Sequence, residues 1–316
     1  MHLGLNLWPQ NTTWPRMREH AQLADRLGFD SIWVWDHFYS IAGDPHRPNF
    51  EGWQIQPAYA AITEHVKIGC LVSSVTHRHP AVLANMATTL DHSSNGRAIL
   101  GIGAGWNALE HNAYGIDLGT PRERSDRFAE AAKIIRGLVD GKRVTHSGRY
   151  YELVNAEVLT RPVQKRLPIL VGGGGERRTL RTAARYADMW HAFESADVMA
   201  HKIEVLRKHC ADVGRDPAEI EPFGGGWVVV RDDVAKAKAQ LAKVAEHHGM
   251  SAPPAGIMGG PDEIAEKIVP QWKAGVKGFI VRFAEPFDTE SIERIAKEVR
   301  PRLRELISRT PASVSG

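Results

Sequence analysis

A (β/α)8 barrel is the fold this sequence predicts, and three observations predict it. Short apolar runs alternate with amphipathic helical stretches eight times in 316 residues. No linker rich in Ser, Pro or charge interrupts the alternation, so 1–316 reads as a single domain. Polar residues and glycines gather at the ends of the apolar runs, where a barrel places its chemistry. A doubly wound open sheet is the alternative for the same alternation.

Residues 2–8 are apolar and alternating, a first strand. Met17, Ala21, Ala24 and Leu27 at helical spacing predict a helix over 14–27, stopped by Gly28. SIWVWDHF at 31–38 is a second strand with a polar end, followed by a short helix over 57–63. A third strand at 66–73 leads to a proline-started helix over 80–92. RAILGIGAG at 97–105 is the fourth strand, and 122–139 a long amphipathic helix. Residues 144–153, with Ser147-Gly148 at the centre, read as a surface hairpin insertion. Strands at 168–172, 189–193, 220–230 and 278–283 complete the eight. Their helices are expected near 176–187, 198–213, 234–247, 261–274 and 289–307, with Pro301 kinking or stopping the last. Residues 250–260 are expected to be a Pro/Gly-rich loop.

Composition excludes several classes. Lys+Arg number 40 against 37 Asp+Glu, a formal charge of +3, too balanced for nucleic acid or an anionic membrane as main partner. The two cysteines, Cys70 and Cys210, form no CxxC, so neither a disulfide framework nor a zinc site is expected. The first residues lack a basic stretch and a long apolar run, and no eighteen consecutive residues are apolar. A cytoplasmic protein acting on a small-molecule substrate is the expectation.

The most informative stretch is LPILVGGGGERRTLRTAARYAD at 167–188. A strand runs into four glycines, then Glu176, Arg177, Arg178 and Thr179, then Leu180, Ala183, Ala184 and Ala187 at helical spacing. Glycines let backbone N–H groups approach an anion, and a helix start adds unpaired donors and partial positive charge. Arg177 and Arg178 add forked cations. The stretch reads as a phosphate cradle; the plainer alternative is a turn that lets the helix pack close to the strand. It is neither a Walker loop nor a dinucleotide fingerprint, since it lacks the Gly-Lys-Ser/Thr ending and the third glycine.

At the expected strand ends stand Asn6, Asp36-His37, Ser73-Ser74, residues 103–107, residues 172–175, His191 and Arg282. Asp36 and His37 are candidates for a base, an acid or a ring contact, against the alternative of a salt-bridged cap. Gly101, Gly103 and Gly105 strip side chains from one strand face, making room for a flat ring or another backbone. Trp106 could wall that space and Asn107 could hydrogen-bond within it. His77-x-His79 has metal-ligand character, and His191 and Glu194 could be recruited, but no carboxylate motif accompanies them and no metal site is expected.

The chain resembles the bacterial luciferase-like family, and within it the coenzyme F420-dependent oxidoreductases. The blocks that carry the resemblance are SIWVWDHF at 31–38, EGW at 51–53, KIGCLVSSVTHRHPAVLANMATTLD at 67–91, GRAILGIGAGWNALEHNAYGID at 96–117 and PILVGGGGERRTLRTAARYADMW at 168–190. The resemblance implies a (β/α)8 barrel with an insertion. It places Asp36 and His37 near a deazaflavin ring, with His37 the candidate proton donor or acceptor. It implies a non-prolyl cis peptide at Leu71-Val72 behind the ring. Ala104, Gly105 and Asn107 would line the ring or substrate side, and Gly173, Gly174, Gly175, Arg177 and Arg178 would take the cofactor phosphate. Where the glucose-6-phosphate-oxidising members carry a catalytic glutamate after the strand-four glycines, this chain has Trp106, which argues against a sugar phosphate. The implied reaction is hydride transfer between F420 and a small organic substrate. The rival within the family is a reduced-FMN-dependent monooxygenase. Readings outside it are a metal-dependent hydrolase using His77, His79 and His191, and a non-catalytic deazaflavin carrier. A homodimer is the expected assembly.

Overall fold

Eight short runs rich in branched and aromatic residues form the strands His2–Leu7, Ser31–Val34, Lys67–Cys70, Ala98–Gly103, Ile169–Gly172, Met189–His191, Glu221–Val230 and Gly278–Phe283. The computed structural model describes residues 1–309; the last residues of the expected domain, 310–316, lie outside them. Each strand pairs in parallel with the next in the chain. The last pairs with the first, His2 opposite Gly278 through Leu7 opposite Phe283, so the sheet closes. This is the (β/α)8 barrel, and the open-sheet alternative falls away.

Successive side chains on a strand point to opposite faces, so each strand feeds both the barrel interior and the helical layer. Trp33, Ile99, Leu170, Met189, Phe223 and Ile280 pack together as the interior plug. A larger cluster joins the outward faces to the helices, with Leu3, Leu5 and Leu7 against residues such as Met17, Phe279 and Ile292. Two residues along the chain from plug residues come Trp35, just past its strand, and Gly172, His191 and Arg282 on theirs. Those four face a cavity instead of a packed core.

Several boundaries differ from the expected ones. The strand at 31–38 stops at Val34 and the strand at 97–105 at Gly103, because their polar ends leave the ladder to build the mouth. The helix expected over 57–63 is Gly52–Ile62 and takes Pro57 inside it. Glu51 caps it, accepting the Gln54 N–H at 2.7 Å. Within the expected loop 250–260, Gly256–Gly259 forms a strand alongside Trp227–Val230, outside the barrel. The hairpin pairs Val144–Ser147 with Glu152–Ala156 and so reaches past residue 153. Pro301 does not stop the final helix. Thr289–Arg294 passes through a π-helical turn, Ile295–Val299, into Arg300–Arg309. A widened turn shifts the hydrogen-bond ladder ahead of a residue with no N–H to donate. Cys70 and Cys210 are buried free thiols. Among the described residues, no helix is long and apolar enough to cross a membrane.

Candidate active site

The barrel mouth holds a cavity of about 580 Å³. Its walls are aromatic on one side, through Trp8, Trp35 and Trp106, and backbone-rich on the other, through Gly103, Ala104, Gly105 and Gly172 to Gly174. Asp36, His37, Leu71 and Val72 also line it, whereas Asn107, Gly175, Arg177 and Arg178 do not. Asn107 instead caps a short helix, Ala108–Tyr114, its side-chain oxygen accepting the Leu109 N–H at 3.1 Å.

The third strand leaves its ladder through a cis peptide at Leu71-Val72, as the resemblance implies. Ser73–Ser74 then resumes pairing beside Ile102 and Gly103. The glycines of the neighbouring strands are explained by this bulge. A Cβ added to Gly103 would lie 2.6 Å from Val72 Cγ2, and one added to Gly172 would lie 2.7 Å from Val72 Cγ1. One added to Gly101 would lie 1.8 Å from the Cys70 carbonyl oxygen. Of the two readings of those alternating glycines, room for a backbone holds at Gly101 and room for the Val72 side chain at Gly103; neither space is left for a ring.

Behind the mouth runs a chain of alternating charges. His37 Nδ1 is 2.8 Å from Glu110 Oε1, and Phe38 N–H donates to Glu110 Oε2 at 2.9 Å. His77 lies between two carboxylates, with Nδ1 3.4 Å from Asp36 Oδ2 and Nε2 3.6 Å from Glu110 Oε1. Asp36 accepts from Arg78 through both oxygens, at 2.6 and 3.0 Å, and from the Ser74 N–H at 2.9 Å. Arg78 reaches on to Glu51 at 3.1 Å. Burial disfavours every charge here, yet the partners win. Glu110 is pulled down to about 2, with burial opposing and His37 and His77 prevailing. His77 is pushed up to about 9, with burial opposing and Asp36 and Glu110 prevailing. Asp36 falls below its ordinary range in the same way, with burial opposing and His77 and Arg78 prevailing.

Asp36 and His37, adjacent in sequence, therefore do different work. The Asp36 carboxylate is fully engaged and anchors Arg78 and the segment after the bulge. His37 faces the cavity and is held from behind by Glu110, a residue the sequence reading did not single out. The Asn107-x-x-Glu110 spacing and Gly115 were the available cues to the helix that carries it.

The glycine loop is pinned by side chains that the sequence reading left aside. Trp190 Nε1 donates to the Gly173 carbonyl at 2.9 Å, and Lys202 Nζ to the Gly174 carbonyl at 2.7 Å. The helix that follows, Thr179–Tyr186, has no side-chain cap, and of its first-turn donors the Leu180 N–H is taken by the Gly175 carbonyl at 3.0 Å. Arg177 and Arg178 line an adjoining groove with Arg181, Arg185 and Lys133. Arg178 is ion-paired to Asp126. Among the described residues, Arg177 makes no ion pair.

His77, His79 and His191 do not converge. His79 caps the helix Pro80–Ser93 through the Ala81 N–H, and His191 lies across the cavity. Among the described residues, His77, Glu110 and His111 stand at metal-ligand spacing. His111 is engaged at both nitrogens, by Thr76 and the Asn107 carbonyl, and His77 sits between the Asp36 and Glu110 carboxylates.

The model of the luciferase-like monooxygenase family matches residues 1–284. The chain belongs to the luciferase-like monooxygenase family. A curated relative, the F420-dependent glucose-6-phosphate dehydrogenase of Kineococcus radiotolerans, is 41% identical over 162 residues, which is 51% of this chain and 47% of the relative. This luciferase-like chain thus spans about half the length of the curated relatives it matches first. The F420-dependent tetrahydromethanopterin reductase of Methanopyrus kandleri superposes with a TM-score of 0.79 at 22% identity, covering 96% of this chain and 99% of that one. The oxygenating component of a 3,6-diketocamphane monooxygenase from Pseudomonas putida, in complex with FMN, gives 0.75 at 22% identity, with the same coverage. At those identities the two structures establish the luciferase-like fold alone.

Proposed function

We propose that this chain is an F420-dependent oxidoreductase that moves a hydride between the deazaflavin and a small organic substrate. The names of its relatives support F420, and the observation that carries the chemistry is the His37–Glu110 pair facing the cavity. The residues present suit such a cofactor. The Leu71-Val72 bulge lines the cavity, the glycine loop leaves no Cβ between backbone and ligand, and an uncapped helix start follows it. Gly173, Gly174 and Gly175 with Arg177 would hold its phosphate, and Leu71, Val72, Ala104 and Gly105 its ring. When bound, F420 supplies the hydride donor or acceptor.

The chain's own residues handle the proton. Glu110, ionised well below neutrality, accepts from His37 Nδ1–H and fixes that tautomer. His37 Nε2 is then the atom that gives or takes a proton at the cavity. Trp8, Trp35 and Trp106 supply apolar walls that exclude water from part of the space. Titrating the purified protein with F420 and with FMN, read by fluorescence, tests the reading. F420 binding at the lower concentration supports it; binding of FMN alone assigns the chain to the flavin monooxygenase side of the family.

A further inference from the structure

Two strands round the barrel from the one that leads to His37, the cavity wall carries a cation that among the described residues has no counter-ion. Arg282 ends the last barrel strand two residues after the plug residue Ile280, so it points to the same interior side. It is half-buried, and its guanidinium carbon lies 3.4 Å from the centre of the Phe193 ring. A Cβ added to Gly225 would lie 2.8 Å from Phe193 Cε1, so that glycine leaves the space the ring uses. Among the described residues, no carboxylate pairs with Arg282. Burial, with no anion to offset it, lowers its pKa to about 10, which still leaves it charged near neutrality. The cationic groups behind the mouth are matched: His77 and Arg78 have Asp36, Glu110 and Glu51.

A second, independent group points to the same place. His191 is 3% exposed, lines the cavity and has Nε2 buried without a hydrogen-bond partner. It is held neutral, its pKa pushed down to about 3 by burial first and by Arg282 second. A neutral imidazole can donate one N–H to an acceptor and adds no charge of its own, so the charge that selects an anion here is that of Arg282. Lys202 and Glu194 pair with each other at 3.3 Å and so leave the local charge to Arg282.

We propose that Arg282, assisted by His191, receives a carboxylate of the substrate, so that the substrate class is an apolar or aromatic carboxylic acid. This rests on the oxidoreductase reading for its word substrate, but not for the binding itself. One forked cation matches one carboxylate in charge and geometry, whereas a phosphate dianion would be left under-neutralised. The aromatic walls suit an apolar body on that acid.

Sodium benzoate, with benzyl alcohol and inorganic phosphate as controls, is titrated calorimetrically into the cofactor-free protein, then repeated with F420 bound. Benzoate is expected to bind, benzyl alcohol to bind at least about tenfold more weakly, and Arg282→Gln to remove that preference. Arg282→Lys, which keeps the charge, should retain part of it and shows loss to be more than misfolding. Benzoate affinity unchanged in both variants, tighter binding of phosphate than benzoate, or displacement of benzoate by F420 would each overturn the assignment. Failure of F420 to bind while benzoate binds as described removes the cofactor reading and leaves the carboxylate site standing.

Discussion

The His37 imidazole and the Glu110 carboxylate meet at 2.8 Å through Nδ1, with the Glu110 side chain only 1% exposed. That contact sets which His37 nitrogen faces the cavity. Glu110→Gln keeps the size but removes the charge that prefers Nδ1–H. Turnover is expected to fall about 10–100-fold, with cofactor affinity near the original. Nitrogen-15 NMR of neutral His37 should show Nδ1–H in the parent and a mixed tautomer in the variant. An unchanged tautomer together with unchanged turnover removes Glu110 from the positioning role.

His37→Ala should lower turnover at saturating cofactor by about 10²–10⁴. Cofactor affinity should change little, because the glycine loop sits on a different strand end. If His37 only packs against a ring, affinity falls and saturated turnover holds. If it only braces the mouth, the melting temperature falls and both kinetic quantities hold. Following F420 absorbance with a substrate that supports turnover, alongside thermal melting, separates the three.

Gly103→Ala should destabilise by about 1–3 kcal/mol, because the new methyl would sit 2.6 Å from Val72 Cγ2 in a packed site. Val72→Ala in the same chain removes that methyl and should recover most of the loss. Urea midpoints of the two single variants and the double variant measure the coupling. Strict additivity would mean that Gly103 serves something other than Val72.

The barrel was readable because strand–helix alternation depends on local patterning, which a single sequence carries. The mouth was readable less evenly. Asp36 and His37 stood out together, but adjacency in sequence does not determine shared partners. Asp36 anchors Arg78 and His77, while His37 reaches Glu110 on a helix of seven residues, too short for periodicity to reveal. Gly101 and Gly103 announced a missing side chain without saying what fills the gap; that depended on the third strand's bulge, a tertiary fact. Arg177 and Arg178 announced charge near a helix start, but only packing shows Arg178 turned to Asp126. Arg282 and His191 were visible at strand ends; that Arg282 has no counter-ion and His191 Nε2 no hydrogen-bond partner among the described residues became visible only once the other charges were placed.

Stability should depend on pH through His77. Its folded pKa, about 9, lies above its ordinary 6.5. The proton is therefore bound more tightly in the folded chain, and the contribution is complete below about 6.5 and lost as pH climbs through about 9. Urea unfolding between pH 6 and 10 should show the parent losing stability across that window relative to His77→Gln. Groups that titrate in both proteins cancel in the difference. Glu110 works in the opposite sense: its contribution is present above its ordinary 4.5 and lost as pH falls toward 2. Parallel profiles for parent and His77→Gln above pH 6 would show that the buried imidazole carries no extra proton affinity.

Arg177 and Arg178 should separate when tested singly. Both follow the glycine loop, but Arg178 is committed to Asp126, while Arg177 is exposed and makes no ion pair among the described residues. A charge-assisted contact to phosphate is worth about 1.5–3 kcal/mol when desolvated, and exposure at Arg177 places it at the lower end. Arg177→Ala should therefore weaken F420 binding by about tenfold, and Arg178→Ala by less, since recruiting Arg178 first requires breaking its bond to Asp126. The remaining affinity of Arg177→Ala should also respond less to added salt, because a screened attraction has been removed. Fluorescence titrations at two salt concentrations measure both effects. If Arg178→Ala is the more damaging change, the ion pair to Asp126 opens on binding and the groove side of the loop, rather than the glycine turn, is where the anion is held.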